Sequence, residues 1–429
     1  MQPKTDTDVL IVGGGPAGLL TALALAKQGL RSKVFDRRAW PVDKACGEGL
    51  MPNGLDVFSW LGLDQDLAEA QSYDFKGIRF WTPKGSVQGA FPGKQTGKGL
   101  KRTELSRMLY EACIRNHLIQ LWEEHRVISV ETNKNQSQII YRHKSKQGVA
   151  SGHWLVIADG LHSSVCKYLN LKSRKLPWGR MGCRQHFNIR PWCNHVQVFW
   201  QNGFEVYVTP VGDQEAEVAI LADSASWAKH FHRDTLDSWI SDIPELKNRL
   251  TGVSPSGGLR AYGPLGVLRS QPDCQRPVVL VGDSYCFWDG ITGEGISMAA
   301  LQARAVARSF MEMGRADWKS DSPKRRCLIS LLHIELRTLL IPYLIMTGIA
   351  MFLARFSGFR AIVFASLFRF PRLLDRLLAW NVGIGWPEKL ARGYRFFHQM
   401  IYLIKLKRLK INQVAPYLKI RTASETKKH

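Results

Sequence analysis

The chain has 429 residues, 45% of them hydrophobic and 22% charged. That excludes a disordered chain and a polytopic membrane protein, and gives room for about two or three domains. Lys+Arg 59 against Asp+Glu 36 leave a net charge of +23, but residues 323–429 alone hold 20 basic and 4 acidic side chains, a net +16, so only +7 belongs to residues 1–322.

Near the N-terminus, Val9-Leu10-Ile11-Val12 is a short apolar run suited to a buried parallel strand. Neither a basic start nor a long apolar stretch precedes it, so no signal peptide is expected. Gly13-x-Gly15-Pro16-Ala17-Gly18 follows, then an Ala/Leu-rich helix from Leu19 to Lys27 ended by Gly29, then a second strand, Ser32–Phe35, closed by Asp36. In that setting Gly13 makes the tight turn, Gly15 lets a pyrophosphate approach the backbone, and Gly18 lets the helix pack closely with its first amides facing the phosphates. Asp36 stands where a carboxylate accepts hydrogen bonds from a ribose diol. The half-site is that of an adenine dinucleotide, and the motif alone fits NAD or FAD equally.

Phe75 to Phe91 alternates apolar and polar residues, and Arg102 opens a helix with Leu105 and Leu109 on one face. A buried strand then ends in Asp159-Gly160. Gln197–Trp200, Glu205–Pro210 and Glu217–Leu221, separated by turn signals, predict an antiparallel meander. His230-Phe231-His232 has no ligand spacing around it and reads as a solvated helix face, so no metal site is expected. Val278–Val281 is another buried strand ending in Gly282-Asp283, and Gly293-Glu294-Gly295-Ile296 starts a helix running to about Ala307. The eight cysteines contain no C-x-x-C pair, which points to a reducing compartment.

The segments around Arg102, Asp159-Gly160 and Gly282-Asp283 together resemble the fingerprints of para-hydroxybenzoate hydroxylase-type flavoproteins, a family that includes geranylgeranyl reductases and flavin-dependent halogenases. The resemblance spans residues 8–310. It implies an α/β fold: a Rossmann-type FAD-binding domain (1–75, 99–175 and 272–322) interleaved with an antiparallel β substrate domain (76–98 and 176–271). It also implies that Asp283 binds the flavin ribityl chain, Asp159-Gly160 lies near the pyrophosphate, Arg102 reaches the phosphates, and Val127 bonds the adenine through its backbone. Amides at Gly293, Gly295 and Ile296 would face the flavin pyrimidine edge, where reduction places negative charge.

Lys44-Ala45-Cys46-Gly47-Glu48-Gly49-Leu50 resembles the reductases' Cys-Gly-x-Gly segment beside the flavin. Cys46 is there either a redox-active or proton-donating thiol, or a small apolar residue packed at the ring. Tyr207 and Pro210, in a segment partly resembling an aromatic-rich substrate motif of the reductases, are candidates for substrate contact. Three departures stand out. Val165-Cys166-Lys167 replaces the usual Val-Arg, Gly290 replaces a turn proline, and the aromatic-rich segment has Glu205 and Thr209 where aromatics are expected.

The basic tail, 323–429, interleaves apolar stripes and aromatics with Lys/Arg, including an uncharged run from Thr338 to Ala354 and the mixed segment Tyr402–Lys410. It predicts a helical region in peripheral contact with a membrane, at the cytoplasmic inner face, rather than a nucleic-acid partner. The alternative is a helical cap packed on the flavin domain. The activity expected from the resemblance is NAD(P)H- and FAD-dependent hydroxylation of a hydrophobic small molecule. An isoprenoid double-bond reductase comes second, and a non-catalytic, membrane-associated flavin-binding redox protein third.

Overall fold

A computed structural model describes residues 6–176, 179–232 and 235–384. Strand β1 (Thr7–Val12) is buried throughout. It leads through Gly15 into helix α1 (Pro16–Ala26), whose Pro16 sits at the first helical turn, where a missing N–H costs nothing. Helix α1 starts three residues earlier than the Leu19 expected from the sequence and is apolar on nearly every side, as a helix sandwiched between sheet and other helices must be. Strand β2 (Ser32–Phe35) then pairs with β1 in parallel.

The Phe75–Phe91 alternation becomes a hairpin of β3 (Gly77–Thr82) and β4 (Gly85–Ala90). Helix α2 (Arg102–Ile114) begins at Arg102, and its Leu105 and Leu109 are fully buried. Strands β5 (Ile119–Trp122), β6 (Arg126–Thr132), β7 (Ser137–His143) and β8 (Lys146–Ile157) follow. In the first sheet the order is β5-β2-β1-β8-β7-β6, with a later strand, Val278–Leu280, also on β8. Its parallel members are buried on both faces, which is why they read as unbroken apolar runs.

After the short helix α3 (Ser164–Tyr168) come β9 (Met181–Phe187), β10 (Val196–Trp200), β11 (Phe204–Gly212) and β12 (Glu215–Ala222), the expected meander with each segment extended by a residue or more. Strand Arg260–Tyr262 completes a second sheet. It runs from there through β9, β12, β11 and β10 to the β3–β4 hairpin. The sheet joins chain segments more than a hundred residues apart, since β3 pairs in parallel with β10.

Four further helices decide the architecture. Helix α4 (Gly295–Trp318) packs on α1. Helix α5 (Pro323–Arg355) runs 33 residues without a break at Pro342. Its first half, with Leu328, Leu332, Leu336 and Leu340, belongs to the same hydrophobic core as β1 and α1. Its second half, with α6 (Ser357–Arg369) and α7 (Arg372–Asn381), covers the second sheet: Met351, Phe364, Leu367, Leu374 and Leu378 share a core with Ile78, Val196 and Val198. The described part of the tail is therefore a packed roof. Segment Tyr402–Lys410 lies outside the described residues.

His230 departs from the expected solvated face. It ends a short helix half-buried, with its ring against Phe204 and Trp239 and its Nδ1 2.9 Å from the Ser238 carbonyl.

Candidate active site

A cavity of about 980 Å³ runs between the two sheets and under the roof helices. One end is lined by Gly13, Gly15, Pro16, Ala17, Asp36, Lys44, Cys46, Gly47, Arg102, Val127, Asp159, Gly160, Gly282, Asp283, Gly293, Gly295 and Ile296, which brings together residues scattered over nearly 300 positions of sequence. Gly18 lies behind this wall. A Cβ there would stand 1.8 Å from the Gly13 carbonyl oxygen, so its part is the close helix packing expected of the third glycine. Gly13 has φ +110°, and a Cβ on it would meet the Ala158 carbonyl oxygen at 2.2 Å. Only glycine fits either position.

The glycine turn is held at its outer edge. The Asp36 carboxylate accepts from Gly14 N at 2.8 Å and from Arg38 N at 2.9 Å. The Trp40 indole lies in the space a Gly14 side chain would need and donates to the Gly14 carbonyl at 2.8 Å. Trp40 carried no motif and was not legible beforehand.

Arg102 is buried, and its Nε has no hydrogen-bond partner among the described residues. Its Nη2 lies 3.5 Å from the place of a Gly15 Cβ. An orphaned guanidinium beside the glycine turn and the α1 N-terminus fits a pyrophosphate. Side chains built on Gly47 or Gly160 would meet nothing within 4 Å, so backbone there faces open cavity. The residues present fit FAD.

Lys44 Nζ stands 2.7 Å from Asp283 Oδ2 and 4.1 Å from the Tyr262 ring centre. Asp159 turns its carboxylate to Ser164 N at 2.9 Å, so it caps α3 as well as bordering the cavity, and burial pushes its carboxyl up. Burial likewise raises the Cys46 thiol, which keeps its proton at neutral pH, and Glu48 N donates to its sulfur at 3.4 Å. Where the family arginine was expected, Cys166 is buried in the core, while the adjacent Lys167 lines the cavity.

At the other end the walls are Ile78, Phe80, Val196, Val198, Trp200 and Leu221 from the second sheet, with Met346, Leu353, Phe364, Leu367 and Leu377 from the roof. Asn381 is the one polar side chain that the roof helices contribute. Tyr207 lies between the two ends and donates to the Ile291 carbonyl at 3.3 Å. Pro210 does not reach this cavity. It borders a small pocket with Val208, Pro191, Trp192 and His195, because successive side chains of β11 point to opposite faces and Tyr207 and Thr209 take the cavity face.

The other departures also find partners. Arg180 is buried and bidentate on Asp289, at 2.7 and 3.0 Å, and pairs with Glu205 at 2.5 Å. The Tyr343 hydroxyl, from α5, donates to the Asp289 carbonyl at 3.0 Å. The turn at Gly290 is thus fastened by Arg180 and Tyr343 rather than left loose, and Glu205 takes a charge partner where an aromatic was expected. Thr209 Oγ1 donates to the Gly47 carbonyl at 3.1 Å.

The cradle for a dinucleotide and the continuous cavity define an FAD-dependent oxidoreductase, the class shared by the proteins of similar sequence. Residues 6–258 match the FAD binding domain family, and the chain belongs to that family. It is 27% identical over 337 residues to a digeranylgeranylglycerophospholipid reductase of Methanocella arvoryzae, covering 73% of this chain and 79% of that protein. Menaquinone reductase of Mycolicibacterium smegmatis is 25% identical over 335 residues, with 75% and 80% covered. In fold it is similar to a flavoprotein/dehydrogenase from Cytophaga hutchinsonii, with a TM-score of 0.75 at 15% identity, covering 93% of this chain and 98% of that one. Flavin-dependent monooxygenases and halogenases share the fold.

Proposed function

We propose that the protein reduces an isolated double bond in a membrane lipid with a long isoprenoid chain, drawing hydride from NAD(P)H. The observation that carries this reading is the apolar compartment. The cavity wall next to the flavin-binding end is built from aliphatic and aromatic side chains of the second sheet and three helices, with no charged group among the described residues contributed by the roof. Such a chamber recognises length and apolarity and excludes water. Two relatives whose names specify isoprenoid lipids, a digeranylgeranylglycerophospholipid and a menaquinone, support the same chemistry.

FAD, when bound, supplies the hydride and electron-transfer chemistry. The chain's own groups hold and shield it. Arg102 and the amides after Gly13 take the phosphates, and Asp36 takes the ribose. Tyr207 and the Asp289–Ile291 turn divide the cradle from the lipid chamber. The protonated Cys46 thiol borders the cavity and can give a proton to carbon after hydride transfer. Lys167 supplies a cation at the cavity edge for the nicotinamide cofactor's phosphates.

The outside of the roof supports membrane contact. Ile345, Ile349, Phe352 and Phe356 form one exposed stripe along α5, continued by Phe359 and Ile362, which are 57% and 65% exposed. Arg355, Arg369, Arg372 and Arg376 are exposed around it. Helix α5 is long and apolar enough to cross a bilayer, yet its first half is committed to the core. An interfacial seat for its second half agrees with both facts.

The test is turnover of purified holoenzyme with NADPH and a membrane lipid extract. Double-bond reduction proceeds anaerobically and yields a product heavier by two hydrogens. Dependence on O₂, with ¹⁸O from ¹⁸O₂ in the product, would instead establish hydroxylation and overturn the reading. Co-sedimentation with vesicles containing phosphatidylglycerol should be lost in a Phe359→Ser/Ile362→Ser double variant; unchanged binding refutes the interfacial seat.

A further inference from the structure

On the cavity-facing side of the second sheet, one row of side chains crosses three neighbouring strands: His186 on β9, Glu217 on β12 and Thr209 on β11. This row lies against the Cys46–Gly49 turn. Glu48, in that turn, is 1% exposed and takes a left-handed backbone conformation, φ +50°, which is uncommon for a side-chain-bearing residue. Its carboxylate is fixed on two sides, accepting from Arg102 N at 2.7 Å and meeting His186 Nε2 at 2.7 Å. Arg184 Nη1 approaches His186 Nδ1 at 3.3 Å. A guanidinium only donates, so Nδ1 is the acceptor there and the His186 proton sits on Nε2, directed at Glu48.

Glu217 is different. It is fully buried, and neither carboxylate oxygen has a hydrogen-bond partner among the described residues. Ligand atoms of Glu48, His186 and Glu217 all lie within 4.8 Å of one another. Arg184 Nε is 3.8 Å from Glu48 and 3.9 Å from Glu217, and the same guanidinium is already paired with Asp43. Two buried carboxylates this close cannot both stay ionised against one shared cation. The arrangement also disfavours a metal ion, because Arg184 already brings positive charge into the cluster.

We propose that Glu217 holds a proton behind the flavin-facing turn and passes it to the Glu48–His186 pair when the flavin gains charge. Only a proton moves: the Glu217 acid becomes a carboxylate, and the Glu48 carboxylate, still hydrogen-bonded to His186, becomes the acid. The other charged and titratable groups facing Glu217 are Asp43, Cys46 and Arg184. Burial, then the Glu48 charge, raises the Glu217 carboxyl well above the usual range, in agreement with the geometry. Glu48 is bonded to the Arg102 amide and to the sulfur of Cys46, so the store is joined to the phosphate-binding arginine and to the flavin-facing turn. The inference needs a bound flavin but neither choice of substrate.

The experiment is infrared difference spectroscopy of the FAD-loaded protein, oxidised minus dithionite-reduced. A carbonyl band of a protonated carboxylic acid should appear, shift on reduction, and vanish in Glu217→Gln. Glu48→Gln and His186→Gln should each move that band without removing it, which keeps the test available if Glu217→Gln fails to fold. A carboxylic acid band unaffected by all three substitutions, or identical in both flavin states, overturns the proposal. So does one equivalent of bound divalent metal that is lost in Glu217→Gln.

Discussion

The two ends of the cavity obey different physical rules. The dinucleotide end is made of backbone: glycines, helix N-termini and a few fixed charges, at positions where a single added carbon would collide with a carbonyl. At the apolar end, side-chain volume contributed by β3, β10, β12, α5, α6 and α7 makes the wall, and many apolar residues could serve at each place. Chemistry done by backbone tolerates almost no substitution, whereas a greasy chamber tolerates many. The boundary between them is the Arg180–Asp289–Glu205 cluster, a buried polar lock in otherwise apolar surroundings.

Substitutions can break this contrast, and their expected effects fall in order. Gly18→Ala should be the most damaging, on the order of 4 kcal/mol or more, because its Cβ lands 1.8 Å from a backbone oxygen. The purified protein should lack the visible flavin spectrum, and a normal yellow preparation would show that the cradle is softer than described. Asp289→Ala removes both bonds that hold Arg180 to the turn and leaves Arg180 with Glu205 alone, which should cost about 1.5–3 kcal/mol in denaturant titration. A cost below about 1 kcal/mol would mean that the two ends are not locked together there.

Glu294 tests the seam by pH. Burial pushes its carboxyl up to about 8, against an unfolded value near 4.3. The folded protein therefore binds a proton that the unfolded chain has released. Its stabilising contribution is complete below about pH 4.3 and is lost as pH rises towards 8, by about 1.4 kcal/mol per unit. Glu294→Gln should flatten the slope of unfolding free energy between pH 6 and 7 by about that amount, and an unchanged slope would contradict the assignment. Smallest in stability but decisive for the chamber is Leu367→Trp. Overpacking of about 1–3 kcal/mol should lower turnover on a long-chain lipid roughly tenfold while FAD content stays whole. Equal losses of FAD and turnover would show that the two ends are not separable.

The same contrast explains what the sequence discloses. Gly13, Gly15, Gly18, Asp36 and Asp283 were legible because few residue types can do their work, and their order along the chain is itself a constraint. The meander, too, was readable from its alternation and turns. Pro210 was misplaced because it stands three residues from Tyr207 on the same strand, and alternation sends the two side chains to opposite faces. Trp40, Arg180 and His186 went unnoticed, since their partners lie 26, 109 and 138 positions away. The tail divided the same way. Its apolar stripes were plain, but sequence could not separate the buried side of α5, α6 and α7 from the side left in solvent.

Helix α5 also sets a length scale. Tyr343 anchors it beside the Asp289–Ile291 turn, and Phe352 lies on its exposed stripe. Between those residues a helix rises roughly 14 Å. If that stripe rests on a bilayer surface, the helix works as a ruler: a lipid held by its headgroup at the surface would offer the flavin a bond at one depth along its chain. Regiochemistry would then be fixed by geometry, and lengthening α5 by one turn between these anchors would shift the reacting bond rather than abolish reaction.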